Sequence, residues 1–262
     1  MKANKLAAFI VTTYIGFIST AHASAPQPLF SPEQEARICE IAADYLVSHP
    51  EILVTVSHKL QEQQEARKQK MFALSVMENQ ANLLHDPDTP AYGPDNAKVA
   101  VIEFFDYQCV FCSRFAPELE KVMKAQPDVR YLFKEWPIFG GRWEASLQAA
   151  QQGLTVWQKK GPQAYVTYHN AIYATGHNEG KLTAEDIHGA ASKAGLTTPA
   201  PGDHTASLEK NSNLAEALGL TGTPGIIVMP VSGATPDTIT VFPEAVTAEK
   251  LQAAIRKATR VK

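Results

Sequence analysis

Cysteine is scarce in this sequence, with three residues among 262. A structural zinc site takes four ligands, and no histidine pair lies at ligand spacing, so we expect neither a metal centre nor a bound cofactor. A formal net charge of −3 makes a nucleic-acid partner unexpected. The sequence also lacks internal repeats and any run of about 20 apolar residues, the length that a membrane span requires. These absences indicate a globular protein of one or two domains.

The N-terminus has the pattern of a secretory signal. Lys2 and Lys5 precede an apolar run, Leu6–Ile18, which is followed by Ala21-His22-Ala23. A basic start, a short apolar stretch and small residues at an A-x-A site are typical of a cleaved leader. A membrane anchor is the alternative, but the run is too short to span a bilayer. We predict that residues 1–23 form a signal peptide that is cleaved after Ala23.

Residues 99–117 carry the strongest chemical signal. Val99–Phe105 is an apolar run typical of a buried strand, and an amphipathic helical pattern follows it. Between the two lies a C-x-x-C motif, Cys109 to Cys112. A cysteine at a helix N-terminus meets unpaired backbone N–H groups and the helix dipole, which favour its thiolate. We therefore predict that Cys109 is the nucleophile and that Cys112 resolves mixed disulfides.

One acid, Glu103, interrupts the apolar strand. A buried carboxylate is costly unless it is protonated or hydrogen-bonded, and desolvation raises its pKa. We predict that Glu103 accepts and donates protons for Cys112. The alternative is an edge strand on which Glu103 faces solvent.

The segment around the two cysteines resembles the active site of a known family. Phe104-Phe105-Asp106-Tyr107, followed by the C-x-x-C motif, is similar to the DsbA-like periplasmic thiol-disulfide oxidoreductases of the thioredoxin superfamily. Thr221–Gly225 is similar to the cis-proline loop of that family, which also keeps a buried acid at the offset of Glu103. The resemblance covers Val99 to the C-terminus. It implies an α/β protein with a thioredoxin fold, a catalytic domain of residues 83–262 and a helical insertion at about 142–218.

The resemblance also implies where client proteins bind. The family's cis-proline loop packs beside the cysteine pair, so Thr223 and Pro224 are expected to hold an extended client segment, together with Val110 and Phe111. Threonine before the proline is similar to isomerase-type members, whereas the strongest oxidases carry valine. Those oxidases also have Pro-His between the cysteines, so Phe111 predicts a less oxidising site.

The segment between the signal peptide and the catalytic domain, residues 24–82, is predicted to be helical. Ser31-Pro32-Glu33-Gln34 and Ser48-His49-Pro50-Glu51 are helix starts, and the second helix continues to about Asn82. The middle of that helix, Gln61–Lys70, is polar on nearly every side, as in helices that bridge two bodies. Relatives with such an extension are dimers or trimers, so we predict an oligomerisation segment and a homodimer. A long helix lying on the catalytic domain is the alternative.

The remaining cysteine and the histidines suggest less specific roles. Helical spacing puts Cys39 beside an apolar face, where it is either a small hydrophobe at an oligomer interface or the partner of its own copy in an interchain disulfide. The histidines of the predicted insertion are expected to be ordinary surface or core residues: His169, His177, His188 and His204.

The sequence therefore predicts a periplasmic enzyme that forms and isomerises disulfide bonds in exported proteins through Cys109 and Cys112. Its expected partners are unfolded or misoxidised exported proteins and a membrane redox partner that reoxidises or reduces the dithiol. Two alternatives stay open. One is a plain monomeric dithiol oxidase, and the other, from a different class, is a periplasmic chaperone that binds unfolded chains.

Overall fold

The computed structural model describes residues 29–197 and 202–260. The predicted signal peptide, residues 1–23, lies outside the described residues and stays a prediction. The chain divides into two compact units, the first ending at Lys59 and the second beginning at Leu60. Among the described helices, none combines the length and the apolar character that a membrane crossing needs.

The first unit consists of helix α1, Pro32–Ser48, and the beginning of helix α2, Glu51–Glu78. Ser31 starts α1 with a capping box, in which its Oγ accepts from the Gln34 N–H while Gln34 Oε1 accepts from the Ser31 N–H. Within the described chain, α1 buries none of its residues. Its large apolar side chains are all exposed: Ile38, Ile41, Tyr45, Leu46 and Val47.

The second unit contains the last turns of α2. Phe72, Ala73 and Val76 are buried in its core, because they share one face of the helix. The sequence analysis assigned residues 60–82 to the N-terminal segment. In the structure the buried end of α2 belongs to the second compact unit, because these three side chains pack into one of its hydrophobic clusters.

A break follows α2. The helix ends at Glu78, and a short helix α3, Gln80–Leu84, continues the chain, whereas the sequence predicted one helix to about Asn82. Asn79 leaves the helical region with ψ near 14°, and its amide Nδ2 donates to the Ser75 carbonyl at 2.9 Å. Asparagine side chains compete in this way with regular helical hydrogen bonds.

A five-stranded sheet forms the centre of the second unit. Its strands are β1 Ala91–Tyr92, β2 Val99–Phe105, β3 Arg130–Glu135, β4 Gly225–Pro230 and β5 Thr240–Phe242. Their order across the sheet is β1-β3-β2-β4-β5. Strands β2 and β3 are parallel, and the other neighbours are antiparallel. The predicted α/β class is confirmed.

Helices pack on both faces of this sheet. Helix α4, Val110–Ala125, connects β2 to β3, and α9, Ala248–Ala258, follows the last strand. The region between β3 and β4, for which the sequence predicted a helical insertion, holds α5 Glu144–Lys160, α6 Pro162–Tyr173, α7 Ala184–Lys193 and α8 Thr205–Ala217.

Alternation along β2 decides which groups meet. The strand is buried over its whole length and pairs with β3 and β4, so successive side chains enter opposite faces. Val101 and Phe105 belong to the core that contains α4 and α6, whereas Ile102 and Phe104 belong to the core that contains α2 and α8. Glu103 has the parity of Val101 and Phe105 and therefore points toward the layer of α4 and α6.

Candidate active site

The two cysteines lie at the start of α4. Cys109 is the N-cap residue, with φ −80° and ψ 119°, and Cys112 lies in the first turn. Cys109 is 4% exposed, and Cys112 is completely buried. Both are free thiols in this structure. The predicted position of the C-x-x-C motif, between a buried strand and a helix, is confirmed.

The surroundings of Cys109 favour its thiolate. The largest influence is a hydrogen bond with the Cys112 thiol, and the Thr223 side chain and the backbone N–H groups of Cys112 and Phe111 add to it. Burial opposes these groups, yet together they lower the pKa of Cys109 from 9.0 to about 6. Burial raises the pKa of the Cys112 thiol well above its ordinary value, and the nearby Cys109 reinforces this effect. The first sulfur is therefore nucleophilic near neutral pH while the second keeps its proton.

The loop before β4 lies against Cys109. The Thr223–Pro224 peptide bond is cis. In its thiol form Cys109 donates to the Thr223 carbonyl oxygen, with an Sγ–O distance of 3.2 Å. The Thr223 hydroxyl is buried and has no hydrogen-bond partner of standard geometry among the described residues. The juxtaposition that the family resemblance implied is thus present, and it leaves a hydroxyl available beside the sulfur.

The two residues between the cysteines present an apolar surface. Phe111 is 54% exposed, and the guanidinium of Arg114 lies 5.6 Å from the centre of its ring. Val110 is partly buried. An exposed aromatic ring next to a nucleophile offers a contact for an apolar segment of a partner.

Glu103 lies on the buried face of β2 toward the cysteine helix. It is 1% exposed, and neither carboxyl oxygen has a hydrogen-bond partner in the part of the chain that the structure describes. Burial, assisted by the charge of Cys109, raises the pKa of Glu103 from 4.5 to about 8. The predicted burial is confirmed, and the alternative of a solvent-facing edge strand is wrong. A carboxyl with this pKa exchanges its proton near neutral pH, as a proton acceptor for a thiol must.

Asp106 shapes the turn between β2 and Cys109 and is not among the site residues predicted from the sequence. Its Oδ1 accepts from the Gln108 N–H at 2.7 Å. Its Oδ2 accepts from the Phe139 N–H at 2.9 Å and from the Ser146 hydroxyl at 2.7 Å. The backbone oxygen of Asp106 accepts from the Cys109 N–H at 3.0 Å. The sequence contained an indication of this role, since an aspartate side chain commonly accepts from the backbone N–H two residues ahead in a turn.

His169 is the histidine that the structure brings to this site. It lies on α6, is 1% exposed, and its Nε2 is 4.0 Å from Glu103 Oε2. Its ring packs against Phe105 and Tyr173. The sequence predicted an ordinary surface or core residue for each histidine of the insertion, and this contact with Glu103 was not predicted. A spacing of four residues, from Tyr165 through His169 to Tyr173, was the available sign of one buried face.

The fold and the site define the class of protein. A parallel strand pair, a C-x-x-C motif at the start of the connecting helix and an X-Pro loop beside the first sulfur form the catalytic unit of a thiol-disulfide oxidoreductase. The two thiols differ sharply in pKa, which distinguishes a reactive sulfur from one that keeps its proton.

The chain belongs to the thioredoxin family, because residues 85–257 match the family model described as "Thioredoxin". Residues 34–67 match a second model, "Copper resistance protein ScsC N-terminal domain". The first match covers most of the second compact unit, and the other covers most of α1 and the first part of α2. The predicted architecture, a thioredoxin fold preceded by N-terminal helices, is confirmed.

Solved structures and a curated relative agree with this placement. BcfH of Salmonella enterica Typhimurium is 38% identical, with a TM-score of 0.71 over 86% of this chain and 96% of that one. ScsC of Proteus mirabilis, in a transitional conformation, is 28% identical, with a TM-score of 0.60 over 89% of this chain and 99% of that one. Disulfide bond formation protein D of Bacillus subtilis is 32% identical over 88 residues, which span 32% of this chain and 38% of that protein. The predicted relationship to DsbA-like oxidoreductases is confirmed.

Proposed function

We propose that this protein forms and isomerises disulfide bonds in exported proteins through a Cys109–Cys112 dithiol. The observation that carries the proposal is the asymmetry of the two sulfurs. Cys109 has a pKa of about 6 and lies at the N-cap, whereas Cys112 is fully buried with a raised pKa. A stable thiolate next to a protected thiol is the arrangement that thiol–disulfide exchange requires.

Oxidation begins with the disulfide form of the site. A client thiolate attacks Cys109 Sγ, the Cys109–Cys112 bond breaks, and Cys112 leaves with the electron pair and takes a proton from Glu103. A second client thiolate then attacks the client sulfur of the mixed disulfide, so that a client disulfide forms and Cys109 leaves as a thiolate. The client loses two electrons and the site gains them. A membrane redox partner restores the site for the next cycle.

Isomerisation begins with the reduced form. The Cys109 thiolate attacks a wrong client disulfide, which forms a mixed disulfide and frees one client thiolate. That thiolate attacks another client disulfide, and the chain of exchanges ends when a client sulfur displaces Cys109. No net electrons move. If the exchange stalls, Cys112 gives its proton to Glu103 and attacks Cys109, which releases the client.

Client binding is assigned to the surface around Cys109. The Thr223 backbone lies against the sulfur, and an extended client segment is proposed to pair with it. Phe111, which is exposed, and Val110 supply apolar contacts beside the cysteine. Pro224 removes a backbone donor at the edge of this loop. Such backbone pairing accepts many sequences, which suits unfolded or misoxidised clients.

The isomerase assignment includes a proposed homodimer through α1. The apolar side chains of α1 are exposed within one chain, and a symmetric partner would bury the same face. Two sites in one assembly would hold a client while its bonds exchange. Cys39, on the same helix, is exposed within one chain and would lie at or near that interface.

The proposed location is the periplasm. Lys2, Lys5 and the apolar run up to Ile18 have the pattern of an export signal. An oxidising compartment lets a protein dithiol cycle between its two states, whereas a reducing cytosol keeps such pairs reduced.

The test is reactivation of scrambled ribonuclease by the mature protein, with Cys109→Ser and Cys112→Ser as variants. An isomerase restores ribonuclease activity in a glutathione buffer and loses this ability with Cys109→Ser. A protein that oxidises reduced ribonuclease but leaves the scrambled form inactive is the plain dithiol oxidase. Aggregation suppression that is indifferent to both substitutions identifies the chaperone instead. Either result overturns the proposal.

A further inference from the structure

We propose that His169, oriented by Asn170, is the hydrogen-bond acceptor that holds a proton on Glu103, and that it thereby delays the release of clients by Cys112. His169 is a positioning residue in this scheme, because it acts through Glu103. The inference rests on the proposed dithiol function and deepens it, since it names the group that regulates the buried acid.

The contact between the two side chains is buried, and its facing polar atoms have no other hydrogen-bond partner among the described residues. Glu103 and His169 are each 1% exposed, and Glu103 Oε2 lies 4.0 Å from His169 Nε2. Among the described residues, neither Nε2 nor the two carboxyl oxygens have a hydrogen-bond partner. The separation exceeds a hydrogen bond by about 1 Å, so the proposed bond requires the Glu103 side chain to move toward the ring by that distance. The carboxyl group of Glu103 and the Nε2 atom of His169 therefore both keep hydrogen-bonding capacity that no described residue satisfies.

Asn170 decides which ring nitrogen carries the hydrogen. The Nδ1 atom of His169 lies 3.1 Å from Oδ1 of Asn170. An amide oxygen only accepts, so Nδ1 must donate. Burial lowers the pKa of His169 to about 4, so the ring is neutral at the pH of the periplasm and has a single N–H. Nε2, the ring nitrogen 4.0 Å from Glu103 Oε2, therefore carries a lone pair and no hydrogen.

A lone pair in this position favours the protonated acid. The carboxylic acid has one O–H to donate, and Nε2 accepts it. A carboxylate at the same place would face the negative end of the imidazole dipole without a donor. Both effects make the proton harder to remove from Glu103, in addition to the effect of burial alone.

The other ionisable groups around the pair do not provide an alternative account. On α4, Cys112 keeps its proton, and the Cys109 thiolate forms below the pH range in which Glu103 titrates, so its charge is constant there. The carboxyl of Glu135 on β3 has a pKa raised well above its ordinary value by burial. The remaining ionisable neighbours are Asp106, Tyr107, Tyr165 and Tyr173, of which the phenols stay neutral. None of these groups depends on Asn170.

The proton on Glu103 matters when a client is bound. Release of the client begins when Cys112 passes its proton to the Glu103 carboxylate. The Cys112 sulfur then bonds to Cys109 Sγ. The bond from Cys109 to the client breaks, and its electron pair stays on the client sulfur. A protonated Glu103 cannot take that proton. By keeping Glu103 protonated near neutral pH, His169 lengthens the life of the mixed disulfide, which is the time available for client bonds to exchange.

The experiment measures the titration of Glu103 in the reduced, mature protein by ¹³C NMR of labelled glutamate carboxyls, with Glu103→Gln to assign the resonance. His169→Phe removes the hydrogen-bond acceptor. Asn170→Ala keeps the imidazole ring but removes the amide oxygen that holds its hydrogen on Nδ1. In both variants the midpoint of Glu103 should fall by about one pH unit, the effect of one hydrogen bond. Gln163→Ala is the matched control, since Gln163 is exposed on α6, lines the same surface cavity as Asn170 and should leave the midpoint unchanged.

A second readout follows the chemistry. In single-turnover release of a mixed disulfide, the rise of the rate with pH should move to lower pH in Asn170→Ala by the same interval as the NMR midpoint. If Glu103 titrates in Asn170→Ala as in the wild type, His169 is only a packed core residue and the inference is overturned, even where His169→Phe fails to fold. The NMR midpoint does not require enzyme activity. A shifted midpoint in a protein that fails the ribonuclease test therefore refutes the proposed function and not the Glu103–His169 contact.

Discussion

Cys109 and Thr223 are 114 positions apart in the chain, yet Cys109 Sγ lies 3.2 Å from the Thr223 carbonyl oxygen. The nucleophile of the site therefore sits directly against the backbone of a second segment. Under the proposed function, a client joined to Cys109 would contact this backbone, so covalent capture and client binding would occur at one place.

The first prediction concerns the Cys109 thiolate. In a Cys39→Ser background, thiolate absorbance should show one transition with a midpoint near 6, because Cys112 and Thr223 stabilise the anion. Cys109→Ser should remove that transition. A midpoint at or above the free-thiol value of about 8.5 would contradict the assignment of Cys109 as the nucleophile.

The second prediction concerns the stability of the reduced protein against pH. The pKa of Glu103 rises from 4.5 in the unfolded chain to about 8 in the folded one. Its contribution to the free energy of unfolding is therefore complete below pH 4.5 and is lost as the pH rises through 8. The glutamine in the Glu103→Gln variant does not ionise, so the variant does not lose this stability as the pH rises. Its advantage over the wild type in the free energy of unfolding should be about 3 kcal/mol larger at pH 8 than at pH 5.

Urea unfolding of both reduced proteins at the two pH values measures this difference. Cys109 also titrates in this range, but it is present in both proteins, so only its coupling to the Glu103 charge remains, and that coupling is part of the predicted difference. An advantage that is equal at pH 5 and pH 8 would mean that Glu103 is not buried as a protonated acid.

The third prediction concerns where the catalytic unit begins. A chain that lacks residues 24–59 should unfold cooperatively by heat, since the second unit begins at Leu60. A chain that lacks residues 24–82 should not, because it loses Phe72, Ala73 and Val76 from the core. The single change Phe72→Ala in the full chain should lower the free energy of unfolding by about 3–5 kcal/mol. Equal stability of the two shortened chains would place the boundary at residue 82.

The fourth prediction concerns the exposed apolar face of α1. Ile41 is 55% exposed and Tyr45 is 54% exposed within one chain. If a second copy covers them, the double change Ile41→Glu and Tyr45→Glu should convert the oligomer to a monomer in light scattering. Asp44→Asn, a polar change on the same helix, is the control and should leave the mass unchanged. A wild-type protein that is already monomeric would remove the basis for isomerisation by paired sites.

Several features of this protein could be predicted from the sequence because their causes are local. The capping box at Ser31 depends on residues three apart. The position of Cys109 at a helix start follows from the change in apolar period after Phe105. The burial of Glu103 follows from the continuous apolar strand around it, which has no polar face to turn toward water.

The tertiary structure decided which distant segments meet. Periodicity identifies the buried face of a helix but not the residue that the face touches, so His169 could be any core histidine until α6 is packed on the face of β2 that carries Glu103. The same limit applies to Phe72, whose apolar side could serve a partner chain or the chain's own core. Burial against a specific partner depends on how whole elements pack, and that packing is decided by all of their side chains together.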